Sequence, residues 1–403
     1  MGALAAGLSL AGMGGALSPA PGLGFAYFYR PPSDGTSAAF LARHFQLIIL
    51  THTDEPYLAQ LRQAGYRGPV LQYIAANEAE GPGPYANARA ACDARYPTWQ
   101  RTVADRVGVF CARIHPHETW FLHNARGQRL WTRTRSPDGV ERTTYAMNPG
   151  SRGWRGFLIH RLRQYRRLGF DGFFLDNVDL SRGRLLEQED DAGGLAEYAT
   201  GEAFRRAEVA YLAALRAAFP GVPLWANLTH DPNTVGNWAP YLRYLDGVMV
   251  EDFALGWNGS PLAAGAQRAQ LANIRAALGA GKSVLLVEQG RRNDRARLGV
   301  GLGLAWGLEP VAPGRLYFRY GDAFEEDYRT VWWYPAYRFR PPPPRGPLRC
   351  RAGVCARGYA GGRLTVNLAR GRVTLPRGWP RFQGRKATPA RGARRRAPPA
   401  AGR

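Results

Sequence analysis

The stretch Gly169–Asp179, GFDGFFLDNVD, decides the reading of the fold. Phe170–Leu175 is short, apolar and aromatic, which suits a strand buried on both faces. The run ends abruptly in Asp176, Asn177 and Asp179. A buried strand that ends in carboxylates has carried expensive polar groups to the rim of a core. In a barrel of parallel strands that rim is where reacting side chains sit. Aspartate also caps turns, but the apolar run leading up to Asp176 favours a functional role.

Seven further runs read as strands: Gly24–Tyr29, Gln46–Thr51, Pro69–Ala75, Pro223–Thr229, Asp246–Asp252, Ser283–Gln289 and Arg315–Tyr320. Amphipathic stretches such as Pro56–Ala64, Gly153–Leu168, Gly194–Phe219, Leu262–Leu278 and Asp294–Gly307 lie between them. Eightfold strand–helix alternation predicts an α/β fold, a (β/α)8 TIM barrel over residues 24–337. No glycine-rich dinucleotide fingerprint follows the first strand, which argues against a doubly wound sheet.

One connection is far longer than a barrel needs. Residues 77–148 form an insertion after the third strand, with Trp120–Trp131 reading as a hairpin that turns at Ala125–Gly127. Ordered loops of this length are usually lids or binding loops. After Tyr337 the run Pro341–Pro344 marks a boundary, and residues 345–375 alternate like a few antiparallel strands. So short a β appendage cannot hold its own core and is expected to pack on the barrel.

The formal charge of +23 over 403 residues is carried almost wholly by arginine, Lys282 and Lys386 being the only lysines. With abundant Ala, Gly and Pro this reads as compositional bias, not as a specific nucleic-acid face. Residues 376–403 hold nine basic side chains and no acid, so a disordered basic tail is expected, able to contact anionic polymers or surfaces. Residues 1–20 are apolar and rich in small side chains, as in a signal peptide without its basic start. Four cysteines suit an oxidising compartment, and the simplest of their three possible connectivities pairs sequence neighbours, Cys92–Cys111 and Cys350–Cys355. A secreted or cell-envelope protein follows.

Strand parity sorts the rim carboxylates. Val248 and Val250 form one face of Asp246–Asp252 and suit the outer helices, which turns Glu251 inward and Asp252 outward. The same reasoning places Glu288 at the mouth at the end of SVLLVE, and Asn227 at the end of PLWAN. Carboxylates gathered in one cleft push each other's pKa apart, which glycoside hydrolysis requires of its acid and its nucleophile or base. Tyr27, Tyr29, Tyr73, Trp225 and Trp257 lie at or near this mouth and offer faces on which sugars stack. A three-acid cluster is also a candidate Mg²⁺ or Ca²⁺ site; the surrounding aromatics favour a carbohydrate. The group His115-Pro-His117-Glu118 with His123 reads as a surface loop, since proline between the histidines spoils a metal site. There is no GxSxG elbow and no phosphate-binding P-loop.

With YAMNPGSRGW (Tyr145–Trp154), GFDGFFLDNVD and DGVMVED (Asp246–Asp252), the chain resembles bacterial glycosyl hydrolase barrels related to the endo-α-1,4-polygalactosaminidases of glycoside hydrolase family 114. WFLHNARGQ (Trp120–Gln128) and RCRAGVCAR (Arg349–Arg357) add to the likeness, which runs from Gly24 to about Leu375. The resemblance implies a TIM-barrel glycosidase with Asp176 and Glu251 as its acidic pair. A family 18 chitinase differs, because Val178 stands where its strand motif ends in Glu.

The sequence therefore predicts a secreted glycosidase that cleaves O-glycosidic bonds of a polysaccharide and needs no metal or other cofactor. Asp176 and Glu251 are its catalytic pair. Tyr27, Tyr73, Asn177, Asn227 and Glu288 are assigned to binding sugar, with Trp225 and Trp257 as stacking platforms. The rival readings are a non-catalytic carbohydrate-binding barrel and a polyanion-binding surface protein built around the basic tail.

Overall fold

A computed structural model describes residues 22–81, 92, 109–135, 141–186, 194–229, 231–256, 260–309, 313–321 and 329–382. The expected signal peptide and the segment 383–403 lie outside these residues. From the N-terminus, β1 (Gly24–Tyr29), α1 (Ala38–His44), β2 (Leu47–Leu50), α2 (Glu55–Gln63) and β3 (Val70–Ala75) open the barrel. The insertion supplies β4 (Glu78–Gly81), β5 (Trp131–Arg135) and β6 (Glu141–Ala146). Then follow α3 (Arg152–Arg166), β7 (Gly172–Asp179), α4 (Gly183–Leu186), α5 (Gly201–Ala218), β8 (Leu224–Thr229), α6 (Ala239–Leu242) and β9 (Gly247–Val250). The barrel ends with α7 (Ala264–Gly279), β10 (Ser283–Gln289), α8 (Arg295–Leu308) and β11 (Arg315–Gly321), before β12 (Arg345–Arg351), β13 (Val354–Tyr359), β14 (Gly362–Asn367) and β15 (Arg372–Thr374).

Eight strands close in the order β1-β11-β10-β9-β8-β7-β3-β2, and every neighbouring pair is parallel. This is the (β/α)8 barrel expected from the alternation, with a smaller antiparallel sheet, β12-β13-β14-β15, after it. The helices start where the sequence offers caps. Ser37, Ser151, Thr200 and Asp294 accept the backbone N–H of Phe40, Trp154, Ala203 and Arg297 at the starts of α1, α3, α5 and α8. Among the described residues, no helix is long and apolar enough to cross a membrane.

Two Asp-Gly pairs fasten the bottom of the barrel. Asp171 accepts the Val70 N–H at 2.7 Å and pairs with Arg62 at 2.6 Å. Asp246 does the same for the Leu224 N–H, with Arg216 as its cation. The glycines that follow permit close approach: a Cβ at Gly172 would meet the Pro223 carbonyl at 2.3 Å, and one at Gly247 would meet the Trp225 ring at 2.3 Å. Phe28, Leu71, Phe174, Trp225, Met249, Leu285 and Tyr317 fill the interior, while Phe25, Tyr27, Val248, Val250, Val284 and Leu286 pack in the layer between strands and helices.

In the insertion, β4-β6-β5 form a three-stranded sheet over a cluster of Phe110, Phe121, Tyr145 and Trp154. The hairpin turns as expected, with the Asn124 N–H bonded to the Gln128 carbonyl and the Leu130 N–H to that of Leu122. Both expected disulfides are present, Cys92–Cys111 and Cys350–Cys355.

The C-terminal sheet docks on α8. Gly299, Gly303 and Gly307 recur every fourth residue on one helix face, where Phe382, Val373 and Leu348 come in contact. The packed chain also runs beyond the expected boundary at residue 376. Trp379 is buried against Trp306, Phe339 and Tyr359, so the expected disordered tail cannot begin before residue 383. Two aromatic residues among the arginines supply the apolar surface that holds residues 376–382 down.

Candidate active site

The site is built around an irregularity in β7. Leu175 pairs with Ala226 and Val178 with Leu228, so Asp176 and Asn177 together face Asn227 of β8. A bulge of this kind bends a strand and re-aims its side chains. Asn177 takes the left-handed conformation, φ 54°, which asparagine tolerates better than most residues. Its side chain donates to Glu78 Oε2 at 3.0 Å and ties the end of β7 to the insertion sheet.

Asp176 is half-buried and held by three donors. Asn227 Nδ2 reaches its Oδ1 at 2.9 Å, the Asn177 N–H reaches the same oxygen at 2.9 Å, and Tyr73 Oη donates to Oδ2. The other proton of the Asn227 amide goes to Glu251 Oε2 at 2.8 Å. One amide therefore bridges the two carboxyl groups. Glu251 follows β9 directly and is inward, as Met249 is. Burial and then the charge of Asp176 push its pKa up to about 8, against the pull of the Asn227 hydrogen bond. Tyr73 stacks on Tyr29 at the rim with centroids 5.6 Å apart, and burial beside Asp176 drives its phenol well above the usual range.

Four of the residues assigned from sequence come together here: Asp176, Asn227, Glu251 and Tyr73, with Asn177 beside them. Three others do not. Glu288 is wholly buried on the outer face of β10, where Arg297 Nε donates to its Oε1 at 2.9 Å and a Cβ on Gly301 of α8 would meet its Cγ at 2.9 Å. Alternation places Leu285 and Val287 inside, so the inward residue at the strand end is Gln289. Tyr27 likewise points outward: its ring packs on Phe45 and its hydroxyl donates to the Arg30 carbonyl at 2.8 Å. Trp225 faces inward but two residues below Asn227, 5% exposed and edge-on to Tyr317, as part of the barrel filling and not a stacking platform. Trp257 lies outside the described residues.

Sequence reasoning missed two glutamines that hold the backbone at Glu251 and just after it. Gln289 Nε2 donates to the Glu251 carbonyl at 3.2 Å. Gln270 of α7 donates to the Asp252 carbonyl at 3.2 Å and accepts the Ala254 N–H at 3.3 Å. Correct parity for β10 identifies Gln289 from sequence; Gln270 carries no such signal. The histidine-bearing loop is structural: Glu118 bonds Arg129 and His123, and His123 also bonds Glu197. Among the described residues, no group of three or more His, Cys, Asp or Glu side chains is arranged to hold a metal ion.

The family described as hypothetical glycosyl hydrolase family 15 matches residues 89–363. No curated protein matches the chain. Similar solved structures include the glycoside hydrolase domain of PelA from Pseudomonas aeruginosa, 20% identical with a TM-score of 0.45 over 76% of this chain and 97% of that one. Aspergillus fumigatus Ega3 in complex with galactosamine is 13% identical, with a TM-score of 0.42 over 78% and 95%. The α-galactosidase TtGalA from Thermus thermophilus is 14% identical, with a TM-score of 0.47 over 87% and 67%.

Proposed function

The chain belongs to hypothetical glycosyl hydrolase family 15, and from that premise we propose that this glycosidase cleaves polysaccharide O-glycosidic bonds with Asp176 and Glu251, outside the cell. The observation that carries the reading is the Asn227 amide shared between the two carboxyl groups. Glu251, with its pKa near 8, keeps its proton at neutral pH and can deliver it to the leaving oxygen. Asp176, fixed by three donors, is the group oriented to attack the anomeric carbon.

The spacing supports retention of configuration. A nitrogen that bonds both oxygens at under 3 Å keeps them within about 6 Å of each other. Retaining pairs lie about 5–5.5 Å apart, whereas inverting pairs lie about 6.5–9.5 Å apart to admit a water. In the first step Asp176 forms the bond to the anomeric carbon as the glycosidic C–O bond breaks and Glu251 gives its proton to the departing oxygen. In the second, Glu251 takes a proton from water, whose oxygen displaces Asp176. Asn227 Oδ1 is buried and has no hydrogen-bond partner among the described residues, so the amide serves the site through the two protons on its nitrogen. Two disulfides and the apolar, small-residue-rich composition of residues 1–20 support export.

The test is a panel of polysaccharides scored for new reducing ends, with wild type beside Asp176→Asn. The reading requires one polymer cleaved by wild type and left intact by the variant, with the first-formed anomer matching the substrate. A variant that cleaves as fast as wild type removes Asp176 from the chemistry.

A further inference from the structure

We propose that the groove between the start of α8 and the chain that follows β15 is a second, non-catalytic site, and that it binds an acidic polysaccharide. The groove holds about 900 Å³, toward the upper end of the range of about 300–1,000 Å³ for ligand pockets. That is room for an oligosaccharide. Residues 293–296 form one wall; since they follow β10, they lie at the C-terminal end of the barrel, the end that carries Asp176 and Glu251. A polymer engaged by the mouth and a polymer held in the groove therefore meet the same end of the molecule.

The lining fixes the sign of the ligand. Arg372, Arg377 and Arg381 border the groove and are exposed, and none of the three is ion-paired among the described residues. Asp294 is the one acid in the lining, and its side chain is already engaged in capping α8 at the Arg297 N–H. The wall is built, not loose: the Arg377 N–H bonds the Gly361 carbonyl at 3.0 Å and Trp379 packs under it against Trp306. Val373, Leu375 and Phe382 give the groove apolar surface suited to the C–H face of a sugar ring. The sequence beyond Phe382 adds seven more basic residues and no acid, so nothing in it competes for the arginines. The choice of a polysaccharide over another polyanion rests on the glycosidase reading.

Binding of the full chain to polygalacturonate, with dextran and duplex DNA as comparators, tests the site by affinity electrophoresis at two salt concentrations. Wild type is expected to be retarded by polygalacturonate and not by dextran. Changing Arg372, Arg377 and Arg381 together to Gln should weaken this by about tenfold or more at low salt and flatten the salt dependence. Lys at the same three positions should keep it. Because the three side chains are exposed, the thermal transition of the Gln variant should match wild type. Unchanged binding by the Gln variant overturns the proposal and moves the anion site to residues 383–403. Tighter binding of duplex DNA than of polygalacturonate, lost in the same variant, replaces the polysaccharide with nucleic acid. None of these readouts uses turnover, so they stand apart from any failure of the catalytic pair.

Discussion

Glu251 and Glu288 end neighbouring strands of the same barrel, each after a run of aliphatic residues, yet they occupy opposite environments. Glu251 turns into the mouth and shares an amide with a second carboxylate. Glu288 turns into the helix layer and meets Arg297 beneath a glycine of α8. Burial raises the pKa of both, but the second influence differs: Asp176 adds to the effect at Glu251, whereas Arg297 opposes it at Glu288. A carboxylate at a strand end is thus no site by itself. Its parity and the sign of its nearest partner decide whether it can give a proton to a ligand.

The sharpest way to break this contrast is activity. Asp176→Asn and Glu251→Gln should each reduce hydrolysis by about 10³-fold or more, while Glu288→Gln stays within about threefold of wild type. Initial rates of reducing-end release measure all three, and a Glu288 variant as dead as the Glu251 one would erase the distinction. Next in size is Asn227→Ala, which removes the donor shared by the two carboxyl groups and should cost about 10²-fold in kcat. Wild-type kcat/KM should fall as pH rises through about 8, where Glu251 loses its proton. Since the Asn227 hydrogen bond lowers the Glu251 pKa, that alkaline limb should move upward in Asn227→Ala. A limb that stays in place would separate Glu251 from the pH dependence.

Two smaller effects concern stability. Arg297→Met removes the partner of a buried carboxyl and should cost about 1–3 kcal/mol, with turnover per folded molecule unchanged. Calorimetry beside single-substrate kinetics reads both; lost turnover would tie Glu288 to the site after all. Glu251 works in the other direction. Its folded pKa, about 8, lies above the ordinary 4.5, so the folded state binds the extra proton between those values and stability falls as pH rises through the window. Glu251→Gln, which mimics the protonated form, should therefore gain on wild type as pH increases. A relative rise in Tm of about 2–4 °C between pH 5 and 8.5 is expected. A difference in Tm that is the same at both pH values would show that Glu251 is not held protonated.

Much of the site was legible in GFDGFFLDNVD and DGVMVED. In each, an Asp-Gly pair opens the strand and a carboxylate closes it, and the structure gives the two acids separate tasks. Asp171 and Asp246 cap the N–H groups that open neighbouring strands at the bottom, while Asp176 and Glu251 meet at the top. Tyr27 and Trp225 were misplaced for a different reason than Glu288. Aromatic residues suit the interior, the helix layer and the rim equally, and composition does not say at which height in the barrel a ring lies.

By itself the sequence determined the eight strands and their alternation with helices, and it offered the pairing of neighbouring cysteines and three acids for the mouth, two of which stand there. Those follow from local pattern: apolar runs of fixed length, their terminating carboxylates, and cysteines close in the chain. Only the tertiary structure decided which face of SVLLVEQ is inward, because Val284 and Leu286 on one side and Leu285 and Val287 on the other are equally apolar, and both sides of a barrel strand are buried. It alone decided that a bulge aims Asp176 at Asn227, and that Gln270 from a helix and Gln289 from a strand meet the backbone around Glu251. Contacts between residues far apart in the chain are fixed by register and packing, and a local pattern of side chains carries neither.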